Sequence, residues 1–206
     1  MDAAVVIDYQ NLHLTGASLF YRDEPLHHHL VDPGLFAEAL TRVRNARQGS
    51  GYSAIEITRI EVFRGLPSSK FDSKAYNRNQ AQKSVWERDS RVHVTLRPLQ
   101  YPTRWDGVQK VQNGPAREKG IDVLCALAMV RLASTHDVVV LASQDTDLEP
   151  ALDAAMDVHR AKVEASVWND GRQFPRLLRP TDPTRRIWST HLDQVAFDAS
   201  RDLRDY

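Results

Sequence analysis

Cysteine is nearly absent from this chain: Cys125 stands alone, so no intramolecular disulfide can brace the fold. No uninterrupted apolar run approaches the roughly 20 residues needed to span a bilayer, which argues against a membrane partner. The opening MDAAVVID has no basic n-region, no longer apolar stretch and no small-residue cleavage site, so a reducing cytoplasm is the expected location. Neither sign of charge is in excess, with 27 basic and 27 acidic residues, and no overall field draws in phosphate. Any contact with nucleic acid must use a local patch. Internal repeats and low-complexity tracts are also lacking.

What is present suits an ordinary globular core. The 42% apolar and 26% charged fractions exclude a disordered chain, and 206 residues fit one α/β domain rather than two independent ones. Ala3 to Ile7 is short and almost wholly apolar, the pattern of a strand covered on both faces, and it ends at Asp8. A long polar stretch then leads to a helix over Leu35 to Arg47, preceded by Asp32 as N-cap and Pro33 in the first turn. Ile55, Ile57, Ile60, Val62 and Phe63 mark a second strand that stops at Arg64, Gly65 and Pro67. The segment from Ser69 to Asp89 lacks Gly and Pro and suits a helix, and Val92, Val94, Leu96 and Leu99 alternate as a third strand. Gln100 to Pro115 reads as a loop, while Glu118 to Ala133 carries Ile121, Cys125, Ala128 and Leu132 at helical spacing. Val138 to Ala142 is the most apolar strand, Leu148 to Val158 a helix, and Val163 to Trp168 a fifth strand. Such alternation predicts a doubly wound, mainly parallel α/β sheet with helices on both faces and right-handed crossovers.

Sheets of this kind hold their sites outside the carboxyl ends of the strands. Asp8 falls directly after the first strand, and Asp145 and Asp147 directly after the fourth. Asp122 follows Glu118 by four residues, which would put both on one face near a helix start. Taken singly, each has an ordinary role as an N-cap, a turn residue or a complement to the helix dipole. Taken jointly, converging carboxylates would raise each other's pKa or disrupt the fold unless cations neutralised them. Oxygen-rich sites suit Mg²⁺ or Mn²⁺, and such ions can activate water against a phosphodiester.

IDYQNL at 7–12, EKGIDVLCALAMVRLA at 118–133 and VVVLASQDTDLEPALDAA at 138–155 resemble the NYN family, which belongs to the PIN-like, flap-nuclease-like group. The likeness runs to about Trp168. It implies a Rossmann-like three-layer domain of five or six strands over residues 1–168, with 169–206 as an extension packed on it. It also implies a metal-dependent endoribonuclease with Asp8, Asp122, Asp145 and Asp147 as the catalytic metal ligands and Mg²⁺ or Mn²⁺ as cofactor. Asn11 matches the Asn that would orient a ligand or water, and Glu118 and Lys119 match the segment ahead of the helical Asp, where Glu118 is a direct or water-mediated ligand. One departure stands out: Gln144 occupies a place where family members usually carry Gly, so either the backbone angle differs or a side chain projects over the site.

Candidate substrate contacts are Lys70, Lys74 and Arg78, spaced by four as along one helix face, with Lys119 and Gln144 nearer the carboxylates. The bland alternative is a solvated basic face. Arg172, Arg176 and Arg179 make a second cluster, and Trp105 could stack a splayed base of single-stranded RNA. His27, His28 and His29 diverge in extended chain and favour a loop role over zinc. The expected partner is single-stranded or structured RNA, with a homodimer contact, a substrate clamp or a packing layer as alternatives for the tail. Two other readings compete: a non-cleaving RNA-binding or regulatory module, and a phosphatase-like or response-regulator-like enzyme, for which a partner Lys after the fifth strand is not evident.

Overall fold

The computed structural model describes residues 1–47, 53–172 and 175–206, with His27 described by its backbone alone. Its strands are β1 (Asp2–Asp8), β2 (Glu56–Leu66), β3 (Val92–Pro98), β4 (Thr103–Trp105), β5 (Lys110–Gln112), β6 (Val138–Ala142), β7 (Lys162–Trp168) and β8 (Trp188–Leu192). The helices are α1 (Tyr9–Phe20), α2 (Pro33–Ala46), α3 (Ser73–Trp86), α4 (Ile121–Ala133), α5 (Glu149–Met156) and α6 (Gln194–Ala199). Six strands form one sheet in the order β3-β2-β1-β6-β7-β8, and every neighbouring pair is parallel. The chain winds outward from β1 through β2 to β3, returns to the other side of β1 at β6, and winds outward again to β8. The β1–β6 seam is therefore the topological switch point, where crossovers leave in opposite directions and open a crevice at the carboxyl edge.

The strands at this seam are apolar on both faces because both are covered. Ala3, Val5 and Ile7 join one core with residues of α1, α2 and α6, whereas Ala4 and Val6 join a second core with α4 and α5. Trp168, Phe197 and Phe36 are fully buried in the first core, with ring centroids 5.1 and 5.6 Å from Trp168. Each such ring contributes about 1.5–3 kcal/mol by burial.

Three expectations change. The polar stretch after Asp8 is largely α1, which starts at once with Asp8 as its N-cap. Its buried face is Tyr9, Leu12, His13, Gly16 and Ala17, a helical spacing whose members are too mixed in polarity to read as an apolar stripe. The loop of residues 100–115 contains the antiparallel β4–β5 hairpin. Beyond Asn169 the chain adds the sixth strand and α6, and Phe197 packs so close to α1 that a Cβ on Gly16 would lie 2.4 Å from its ring. No helix among the described residues is long and apolar enough to cross a membrane.

Candidate metal centre

The register of the sheet assembles the centre. Ile7 on β1 pairs with Ala142 on β6, so Asp8 and Ser143, one residue further along, leave the sheet side by side. The Ser143 hydroxyl donates to Asp8 Oδ2 at 3.2 Å, and the Asn11 amide N–H donates to Asp8 Oδ1 at 3.2 Å. Ser143 Oγ also accepts the Asp145 N–H at 3.1 Å, and the Asn11 side-chain oxygen accepts the Gln144 N–H at 2.7 Å. Asn11 thus clamps the start of α1 to the turn after β6. Its carbonyl oxygen is committed to backbone, so its positioning role acts on the loop.

The third carboxylate comes from α4. Gly120, at φ +78°, turns the chain into the helix in a left-handed conformation that favours glycine, and Asp122 follows in the first turn. Asp8, Asp122 and Asp145 then offer ligand oxygens that all lie within 4.8 Å of one another. Asp8 is buried, Asp145 half-buried and Asp122 exposed, an arrangement open to solvent on one side. Among the described residues, none of these three carboxylates is in an ion pair. Burial above all lifts the Asp8 carboxyl to about 6, with Asp122 and Asp145 adding to the rise and the Asn11 and Ser143 hydrogen bonds opposing it. Burial and then the charges of Asp145 and Asp147 raise Asp122 as well. Packed acidic oxygens without a counter-cation are the donor set that hard divalent ions take.

Two further acids flank the trio. Asp147 is exposed in the 3₁₀ turn of Thr146–Leu148; its N–H donates to Asp145 Oδ1 at 3.0 Å, and its carboxylate lies outside the 4.8 Å cluster. Glu118 precedes α4, so the shared helix face expected for Glu118 and Asp122 does not exist. Instead, Glu118 Oε1 accepts the Gly65 N–H at 2.6 Å, linking the α4 approach to the end of β2. The Gln10 carboxamide sits 2.9 and 3.0 Å from the two Glu118 oxygens, which only accept, so its nitrogen faces them. Burial first, and the Asp8 charge next among the raising influences, push the Glu118 carboxyl up. Gln10, Ser143 and Gly65 escaped sequence reasoning: only the register shows what they touch. A Cβ on Gly65 would lie 2.5 Å from Glu118 Oε1.

The substrate candidates separate. Arg78 lines a cleft that also reaches Glu118, and Lys74 is exposed on α3. Lys70 lies in the turn before α3, whose N-cap is Asp72, so the three cations do not share one helix. Lys119 is exposed beside the centre, its carbonyl accepting from Arg97 at 2.6 Å. Gln144 takes a negative φ, since His159 alone among described non-glycine residues is positive; its Oε1 is buried without a partner. Of the tail arginines, Arg176 donates to Thr146 Oγ1 at 3.2 Å, at the rim of the centre. Trp105 stands 65% exposed on the hairpin. His29 is buried against Tyr21, with Nε2 3.0 Å from Glu24, and the described histidines join no cation-type cluster. Cys125 is a buried core residue of α4.

Fold and centre together define a doubly wound α/β protein with an acidic, cation-type site at its switch point. The sequence matches the family model described as NYN domain over residues 2–179, and the chain belongs to that family of PIN-like, nuclease-related domains. A protein of unknown function from Vibrio parahaemolyticus superimposes with a TM-score of 0.48 at 19% identity, covering 94% of this chain and 92% of the other. No curated protein matches the sequence.

Proposed function

We propose that this protein is a metal-dependent endoribonuclease that hydrolyses phosphodiester bonds at the carboxylate centre. The observation that carries the proposal is the convergence of Asp8, Asp122 and Asp145 within 4.8 Å, with no cationic side chain paired to them among the described residues. A pure binder of phosphate gains nothing from such a concentration of negative charge. Mg²⁺ or Mn²⁺ fits this donor set, held by Asp8, Asp122 and Asp145 with Asp147 and Glu118 in support. When bound, it supplies a Lewis acid that activates water and offsets phosphate charge.

The protein's own groups set the geometry. Ser143 and the Asn11 N–H fix both Asp8 oxygens, and the Asp147 N–H fixes one oxygen of Asp145. The Asn11–Gln144 hydrogen bond keeps the two loops in register. The Ser143 hydroxyl is engaged by Asp8 and the Asp145 N–H, so the reaction is in-line attack by water. Arg176 at Thr146, Lys119 next to Glu118 in the chain and Arg78 in the cleft that reaches Glu118 suit backbone phosphates, with Lys70 and Lys74 as further candidates; Trp105 offers an exposed ring for stacking a base.

The test is cleavage of labelled single-stranded and hairpin RNA in Mn²⁺, Mg²⁺ or EDTA, beside Asp145→Asn. Metal-dependent cutting that disappears in the variant supports the reading. A folded protein that binds RNA but cuts with neither metal replaces it with a non-cleaving module, for which Gln144 beside the centre is the motivating feature.

A further inference from the structure

The guanidinium of Arg64, at the end of β2, differs from those of Arg44, Arg59 and Arg91, while half-buried Arg201, over the Tyr21 ring, shares its lack of an ion pair among the described residues. Arg44 pairs with Glu164 at 2.7 Å, Arg59 with Glu61 at 2.7 Å and Arg91 with Asp89 at 2.7 Å. Arg64 has no carboxylate within ion-pair distance among the described residues. One of its five N–H donors reaches Gln82 Oε1 at 2.5 Å. Its flat face lies over the Tyr9 ring at 4.5 Å and near the Trp86 ring at 5.7 Å. With one donor used by Gln82, the remaining N–H groups are available to a second acceptor, and arginine commonly meets phosphate bidentately.

Arg64 lines a cleft of about 240 Å³ between α1, the end of β2 and α3, walled by Tyr9, His13, Arg64, Arg78, Asn79 and Glu118. Arg78 also lacks a carboxylate partner among the described residues, and it is close enough to act on Arg64 as a like charge. Glu118 is the one acid of the wall, and its oxygens already face the Gly65 N–H and the Gln10 amide. Glu118 already acts on Arg64 as an opposite charge from this wall, and a further anion between the two guanidiniums would offset the repulsion that Arg78 adds. The volume falls below the roughly 300–1,000 Å³ of sites for whole small molecules, which suits one phosphodiester group of a longer strand.

We propose that this cleft seats an internal backbone phosphodiester of the RNA strand, anchored by Arg64 and Arg78 beside the carboxylate centre. The inference rests on the ribonuclease reading above and deepens it. Gln10 and Glu118 join the cleft to the centre, so a strand crossing the carboxylates continues into it.

The probe is a fluorescent single-stranded oligoribonucleotide with no terminal phosphate, its Kd measured in EDTA across a salt series. Arg64→Gln is expected to weaken binding about tenfold to a hundredfold, as loss of charge-assisted hydrogen bonds requires. The slope of log Kd against log salt should flatten by about 0.7 for the lost contact. Arg64→Lys should recover the slope but not the full affinity, and exposed Arg78→Gln should flatten the slope with no loss of thermal stability. Those two variants decide the matter if Arg64→Gln fails to fold. Unchanged Kd and slope in the folded Arg64 and Arg78 variants would overturn the proposal, even if the wild type cleaves. Arg64-dependent binding by a wild type that never cleaves would uphold the cleft and sink the ribonuclease reading. A wild type that binds no oligonucleotide overturns both.

Discussion

Replacing Asp8 by Asn should stabilise the metal-free protein and make that gain depend on pH. The Asp8 carboxyl rises from 3.8 to about 6 on folding, chiefly by burial. A shift of that size corresponds to about 3 kcal/mol, since each unit is worth about 1.36. The sign follows from proton binding: between those values the native state holds the proton more tightly than the unfolded chain does. Stability from this group is complete below pH 3.8 and lost as pH rises to about 6. Asn carries no charge, and it can still accept the Asn11 N–H and cap α1. Urea unfolding in EDTA should show Asp8→Asn more stable than wild type by about 2–3 kcal/mol at pH 8 and nearly equal at pH 3.5. Adding Mn²⁺ at pH 8 should reverse the order. Cation binding stabilises the wild type by about 4.1 kcal/mol at a thousandfold excess over Kd, more than the variant's advantage, and the variant has lost a ligand. Equal stabilities at both pH values, or the same gain at both, would refute the claim that a buried charge is held there against its preference.

Four other outcomes follow from the geometry. Thermal melts should show Mn²⁺ raising the wild-type Tm by several degrees and leaving Asp145→Asn almost unmoved, because one of the three clustered ligands is gone. Gly65→Ala should cost about 1–3 kcal/mol in chemical denaturation and lower cleavage, since its Cβ would press on Leu99 and on Glu118 Oε1 at 2.5 Å. Arg44→Ala should cost about 3–5 kcal/mol, because Glu164, 5% exposed, would be left buried without its partner; a loss below 1 kcal/mol in urea would contradict this. Asn11→Ala should reduce cleavage more than it reduces Tm, because the Gln144 N–H loses its acceptor beside Asp145 while the cores are untouched.

Much of the scaffold is legible in the chain because burial on two faces leaves an unmistakable mark. β1 and β6 are short apolar runs, and each must be covered by helices on both sides, which predicts parallel winding and an active carboxyl edge. Helices without a plain apolar stripe are another matter. Tyr9, His13 and Gly16 fill the inner face of α1, and their burial depends on Trp86 and Phe197, which arrive from distant parts of the chain. The same holds for β8: its partner β7 supplies the pairing that five residues of mixed polarity do not advertise.

The acidic centre divides in the same way. By itself, the sequence determines that Asp8 ends a strand, that Asp145 follows one and that Asp122 enters a helix, because strand and helix boundaries are local consequences of apolar patterning and turn residues. Whether those carboxylates meet is decided by which strands become neighbours. β1 takes β2 on one edge and β6 on the other, and that choice belongs to the packing of two separate cores. Tertiary structure alone also sorts the acids: it leaves Asp147 outside the trio and, through Gly120, turns Glu118 off α4 toward Gly65. It alone leaves Arg64 without an ion-pair partner among the described residues, because an unpaired charge is defined by everything that fails to come near it.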